Sequence, residues 1–166
     1  MEGKHRKTRI DWRYLAGLFD GEGCVMIKRD KGWLAPRHSL KISITNTYSP
    51  VLYWIKETVG GSVGHSKTAS EEFGWKEHYY WSASTKGAER FLRKIYPYTR
   101  IKYPMIKIAL QLRDLINSRH YAGSNHVPAK QILKRDKLRQ QLMALNHKHS
   151  NKNKQGGINN DTRLPK

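Results

Sequence analysis

Residues 15–23 read Leu15-Ala16-Gly17-Leu18-Phe19-Asp20-Gly21-Glu22-Gly23. With Asp11 as N-cap and Leu15, Leu18 and Phe19 at i, i+3 and i+4, the stretch predicts a helix from about 11 to Asp20. Gly21 and Gly23 stop it. Two features set it apart from an ordinary buried helix. A mid-helix glycine costs about 1 kcal/mol against alanine, so Ala16-Gly17 makes sense where another backbone comes close. The helix also ends in two carboxylates, where the partial negative charge of a helix C-terminus disfavours acids. A bound cation reverses that sign. A glutamate and a backbone carbonyl are hard oxygen ligands suited to Mg²⁺, which activates water against a phosphodiester. The bland alternative is a pair of solvated turn residues.

Working outward, residues 24–29 read as a strand, followed by turn signals over 30–36. Residues 37–46 alternate, with Leu40, Ile42 and Ile44 on one face and Ser39, Lys41, Ser43 and Thr45 on the other. Ser49-Pro50 opens a helix to about Val59, closed by Gly60-Gly61. Strands follow at 62–67 and 78–84, joined by a polar loop with Glu71 and Glu72. A helix over 86–95 ends at Tyr96-Pro97. A longer one, about 104–118, carries Met105, Ile108, Leu112 and Leu115 on one stripe. A last helix, about 128–145, has Ile132, Leu133, Leu138, Leu142 and Leu145. Strands arriving in adjacent pairs predict an α+β fold, an antiparallel sheet with helices on one side.

The nonamer resembles the motif of the LAGLIDADG homing endonucleases: Leu15, Ala16, Gly17, Leu18, Asp20 and Gly23 match outright, and Glu22 stands where that family has its metal-binding acid. The order of elements resembles the family's αββαββα core. The run from Phe91-Leu92 through Pro97-Tyr98 to Ile101-Lys102 resembles its second recurrent stretch. The resemblance covers roughly 10–118. It implies a saddle-shaped sheet, and, with a single copy of the motif, a homodimer packed through the motif helices, with Leu15, Ala16, Gly17 and Phe19 at the dimer interface. The implied activity is site-specific double-strand DNA hydrolysis at a long pseudo-palindromic target, leaving 3′ overhangs. Two other functions on this fold stay open: an intron RNA maturase, and a non-catalytic DNA-binding regulator.

Carried over residue by residue, Glu22 is the catalytic acid and a metal ligand, and the Gly21 carbonyl shares the metal, Mg²⁺ with Mn²⁺ as an alternative. Lys102 matches the basic residue near the scissile phosphate, and Asn46 a polar residue of the catalytic water shell, its plain alternative being a strand-end cap. Asp20 matches a structural acid. One departure matters: some single-motif members carry a second basic residue just after the second strand, where this chain has Tyr48-Ser49-Pro50.

The chain's 166 residues carry 32 Lys and Arg against 13 Asp and Glu, a formal charge of +19, which calls for an anionic partner. Residues 1–9 hold +3 and residues 147–166 hold +4, so +12 remains on 10–146. This divides the chain into a basic N-terminal arm (1–9), the endonuclease domain with its accessory C-terminal helix (10–146), and a polar tail expected to be disordered (147–166). The binding face follows from the alternation. If Leu40, Ile42 and Ile44 pack under the helices, then Arg37, Ser39, Lys41, Ser43 and Thr45, with Lys28 on the first strand, face double-stranded DNA. Tyr79 and Trp81 share a face that reads as core. His147 and His149 sit in a polar stretch and are not read as ligands. Cys24, the single cysteine, excludes an intrachain disulfide and reads as a small packed residue. No run approaches the ~20 apolar residues of a membrane span, and the basic start leads into no signal-peptide core. The expected setting is intracellular, in bacterial or phage cytoplasm or in an organelle with its own genome.

Overall fold

In the computed structural model, which describes residues 10–32, 36–66, 77–118 and 127–155, the motif forms helix α1 (Trp12–Glu22). The Asp11 carboxylate starts it, accepting from the backbone N–H of Arg13 (2.9 Å) and Tyr14 (3.2 Å). No loop follows. Strand β1 (Gly23–Asp30) begins at the next residue, and Gly23 makes that possible. A Cβ there would lie 2.4 Å from the Phe19 carbonyl oxygen and 2.5 Å from its ring. Only a glycine lets the chain leave the helix so tightly.

The remaining elements are β2 (Arg37–Asn46), α2 (Ser49–Val59), β3 (Ser62–Ser66), β4 (His78–Ser84), α3 (Thr85–Ile95), a 3-10 turn (Tyr96–Tyr98), α4 (Tyr103–Asn117) and α5 (Ala129–Gln155). The four strands form one antiparallel sheet in the order β1-β2-β4-β3. The fold is α+β, as expected. Its core lies on one face of the sheet, where Val25, Leu40, Ile42, Ile44 and Trp81 are fully buried against Leu15, Phe19, Leu52, Leu92 and Ile106 of the helices. The alternation in 37–46 is therefore read in the right register. Trp81 seals the α2–β3 turn by donating from Nε1 to the Gly60 carbonyl at 2.7 Å. Gly60 and Gly61 both hold positive φ there (82° and 96°), and a Cβ on Gly61 would meet the Trp81 indole at 2.6 Å.

Helix α5 packs along the edge strand β1 and against α4. Asn146 donates to the Val25 carbonyl (3.1 Å), while Asp136 takes Arg29 (3.0 Å) and the buried His38 (2.8 Å). Covering the edge this way removes a template for strand addition. Two details differ from expectation. The helix runs to Gln155, into the stretch expected to be disordered, and Leu133 is 68% exposed rather than packed. The arm 1–9 and residues 156–166 lie outside the described residues. No described helix is long and apolar enough to cross a membrane.

Candidate active site and nucleic-acid interface

The end of α1 organises the site. Asp20 is buried and fully used: Oδ2 accepts from the backbone N–H of Arg100 at 2.7 Å and Oδ1 from that of Lys102 at 3.0 Å. The Lys102 ammonium returns the contact by donating to the Asp20 backbone carbonyl. This pins the segment before α4 against the motif helix and brings a half-buried cation to it. Burial pushes the Lys102 pKa below the ordinary lysine value, opposed by the negative charges of Asp20 and Glu22. Cys24 lies beside it; burial raises its thiol pKa, and Lys102 opposes the rise.

Glu22, two residues further, is exposed, as is Gly21. Nothing lies within 4 Å of a Cβ built on Gly21, so the helix end is open to a ligand. Among the described residues no group of three or more His, Cys, Asp or Glu side chains converges. One protomer thus offers a carboxylate and helix-end carbonyls to a metal. Hard oxygens in that number fit Mg²⁺, which keeps waters and takes phosphate oxygens for its other ligands. Asn46 stands at the same end of the sheet, two residues past Ile44, the partner of Gly23. Its Oδ1 accepts from the Tyr48 backbone N–H at 2.8 Å, so that oxygen caps the turn into α2.

The face of the sheet opposite the core carries the expected row. Lys28 pairs with Ser39, Met26 with Lys41 and Cys24 with Ser43 in the β1–β2 register. All but the exposed Lys28 of these are half-buried, and Arg37 is exposed at the far end. Because Trp81 points into the core, its neighbours Tyr80 and Ser82 point outward, with Ser84 two further along. They oppose Thr45, Ser43 and Lys41, and Ser62 opposes Ser82 from β3. These four extend the face and escaped the sequence reading. The reading of Tyr79 and Trp81 as core already fixes the parity of 78–84, so the signal for Tyr80, Ser82 and Ser84 was present in the alternation. The Tyr80 ring lies over Gly64, whose added Cβ would meet Cζ at 2.4 Å.

The interface residues need correction. Leu15, Ala16 and Phe19 are 0% exposed within the protomer, because they form the stripe of α1 that packs on the sheet. They have no surface left for a partner. Gly17 alone of the four is exposed, with nothing within 4 Å of a Cβ, on the opposite stripe with Arg13, Tyr14 and Gly21.

No family model and no curated protein sequence matches the chain. Solved structures do. The homing endonuclease I-CvuI, bound to its target in the presence of Ca²⁺, superposes with a TM-score of 0.63 at 17% identity, over 81% of this chain and 80% of that one. The fold is that of the LAGLIDADG homing endonucleases. The archaeal intron-encoded I-Vdi141I, complexed with DNA, gives 0.63 at 19% identity over 81% and 82%. The LAGLIDADG enzyme I-GzeII, also in complex with a DNA target, gives 0.62 at 19% over 79% of this chain but 44% of its own. This chain is thus about the size of the first two and half the size of the third.

Proposed function

We propose that the chain is a homodimeric, divalent-metal-dependent, site-specific DNA endonuclease of the homing type. One observation carries the reading. An exposed acid, Glu22, ends a helix beside a cation, Lys102, that Asp20 holds in place. Both sit at the rim of a sheet face lined with Lys28, Arg37 and Lys41. The neighbours lend it support: I-CvuI has been crystallised on DNA with Ca²⁺ and, on an I-CreI target left uncleaved, with Mg²⁺.

When bound, Mg²⁺ or Mn²⁺ supplies activated water and charge stabilisation at the phosphate. The chain does the rest. Glu22 and the Gly21 carbonyl hold the cation, and two protomers meeting at the Gly17 stripe set two such acids side by side, one for each DNA strand. Lys102 stabilises developing charge on the scissile phosphate. The outer face, from Lys28 and Arg37 through Ser39, Lys41, Ser43 and Thr45, reads the groove. A two-fold dimer requires a pseudo-palindromic site, and the cut leaves 3′ overhangs.

The test is selection of cleaved duplexes from a randomised DNA library with Mg²⁺, repeated with Glu22→Gln. Cleavage that vanishes in the variant while duplex binding survives is the expected result. Binding without cutting by the unmodified chain would make it a regulator, and preference for folded intron RNA a maturase.

A further inference from the structure

The basic face does not end with the strands. Where β4 runs into α3, a trough of ≈ 560 Å³ opens between the sheet and the first turns of that helix. Lys28 and Lys41 line it from β1 and β2, Ser82 and Ser84 from β4, Ser62 from β3, and Arg90 from α3. Among the described residues that line it there is no carboxylate. Three cations from three elements, two strands and a helix, therefore face one space, with hydroxyls between them. Like charges held together repel, and such a cluster is stabilised by an anion. Arg90 is exposed on α3 and makes no ion pair among the described residues, unlike its neighbour Arg93, which is held by Glu89 and Asp114. The positive end of α3 adds to this field without creating it.

Position names the ligand. Lys28 lies five residues along β1 from Gly23, where the strand leaves the motif helix. At ~3.3 Å per residue the trough is about 17 Å from the catalytic end of the sheet, roughly five base-pair steps at ~3.4 Å each. A duplex lying on the sheet passes its sugar-phosphate backbone there. We infer that Arg90, with Lys28 and Lys41 beside it, forms a phosphate-binding trough that extends the DNA interface from the sheet onto α3, Arg90 gripping the backbone of each target arm without reading its bases. This rests on the DNA-binding function proposed above.

The experiment is duplex binding by the full chain across a salt series, for the unmodified protein, Arg90→Ala, Arg90→Lys, and Lys107→Ala on α4 as a cation outside the trough. Each phosphate contact removed lowers the slope of log K against log salt by about 0.9, and the homodimer loses one contact on each target arm, about 1.8 in all. Arg90→Ala should show that loss, weakening cognate and scrambled duplexes by the same factor. Arg90→Lys should restore the slope, and Lys107→Ala should leave it unchanged. An unaltered slope in Arg90→Ala, or a change confined to the cognate duplex, would overturn the trough while leaving the endonuclease reading intact. No salt-dependent duplex binding by the unmodified chain would overturn both. Arg90 is exposed, so the fold tolerates these changes, and Arg90→Lys keeps the test valid if alanine disturbs α3.

Discussion

Asp20 and Lys102, 82 residues apart, hold each other twice: the Asp20 carboxylate accepts the Lys102 backbone N–H at 3.0 Å, and the Lys102 ammonium donates to the Asp20 carbonyl. One acid in the motif is thus spent on architecture so that the neighbouring Glu22 stays open to solvent. The two carboxylates divide the work by burial.

That division is measurable. In Asp20→Asn only one side-chain oxygen remains, so either the Arg100 or the Lys102 backbone N–H loses its acceptor. An unsatisfied buried donor costs about 1–3 kcal/mol, and urea unfolding of Asp20→Asn should show a loss of that size. Glu22→Gln, an exposed change two residues away, should stay within about 0.5 kcal/mol of the unmodified chain. Equal losses in the two variants would contradict the division.

How much of this was legible before the structure depends on the period of each element. Residues 37–46 alternate cleanly, so both the boundaries of β2 and its buried face were readable from Leu40, Ile42 and Ile44. Prolines and glycines placed α2 to the residue. In α1 a single stretch carries two stripes, one buried through Leu15, Ala16 and Phe19 and one open through Gly17 and Gly21. The motif does not say which stripe meets the sheet, and that is where the interface reading failed. Contacts between distant residues left no local pattern at all. His38 pairs with Asp136 across 98 positions, and Arg90 reaches the trough on the outer face of the sheet from a helix whose spacing only reports its core stripe.

A second prediction concerns the clamp between α3 and α4. Glu89 accepts from Arg113 Nε (2.9 Å), from Arg93 (3.0 and 3.1 Å) and from Asn117 (3.2 Å), and the Arg113 side chain is only 7% exposed. Burial alone would raise the Glu89 pKa, but the hydrogen bonds from Arg113, Arg93 and Asn117 outweigh it and hold the group below the ordinary glutamate value. A carboxylate with a depressed folded-state pKa contributes stability above its unfolded pKa, near 4.3, and loses it as pH falls through the folded value. Glu89→Gln should therefore cost about 3 kcal/mol at pH 7, leaving a buried guanidinium unpaired. Urea midpoints taken at falling pH should converge with those of the unmodified chain below the ordinary glutamate range. A difference that stays constant into acid would rule out this origin.

The third prediction separates base reading from backbone grip. A Cβ on Gly64 would sit 2.4 Å from Tyr80 Cζ and 2.5 Å from its hydroxyl oxygen, the movable end of a side chain on the outer face. Gly64→Ala should push the ring aside and leave the strand pairing intact. On the proposed function this alters base preference at one position of each half-site without changing the salt slope, because no phosphate contact is lost. Library selection reads the first quantity and a salt series the second. An unchanged preference profile would remove Tyr80 from the reading surface.

The last prediction tests the dimer at the residue where the protomer has room. Gly17 is exposed at mid-helix, and a Cβ there meets nothing within 4 Å, so the protomer accepts a side chain. Replacing a mid-helix glycine removes a penalty of about 1 kcal/mol, and Gly17→Leu should leave the isolated protomer at least as stable. Close approach of two α1 helices tolerates no such bulk. Light scattering should therefore report a dimer for the unmodified chain and a monomer for Gly17→Leu. Double-strand cleavage should fall with the dimer, since each protomer brings one Glu22. Substituting the buried neighbour Ala16 by leucine would instead overpack the core, at about 1–3 kcal/mol, and unfolding would register it at any protein concentration. A Gly17→Leu protein that remains dimeric would place the subunit contact elsewhere on the surface.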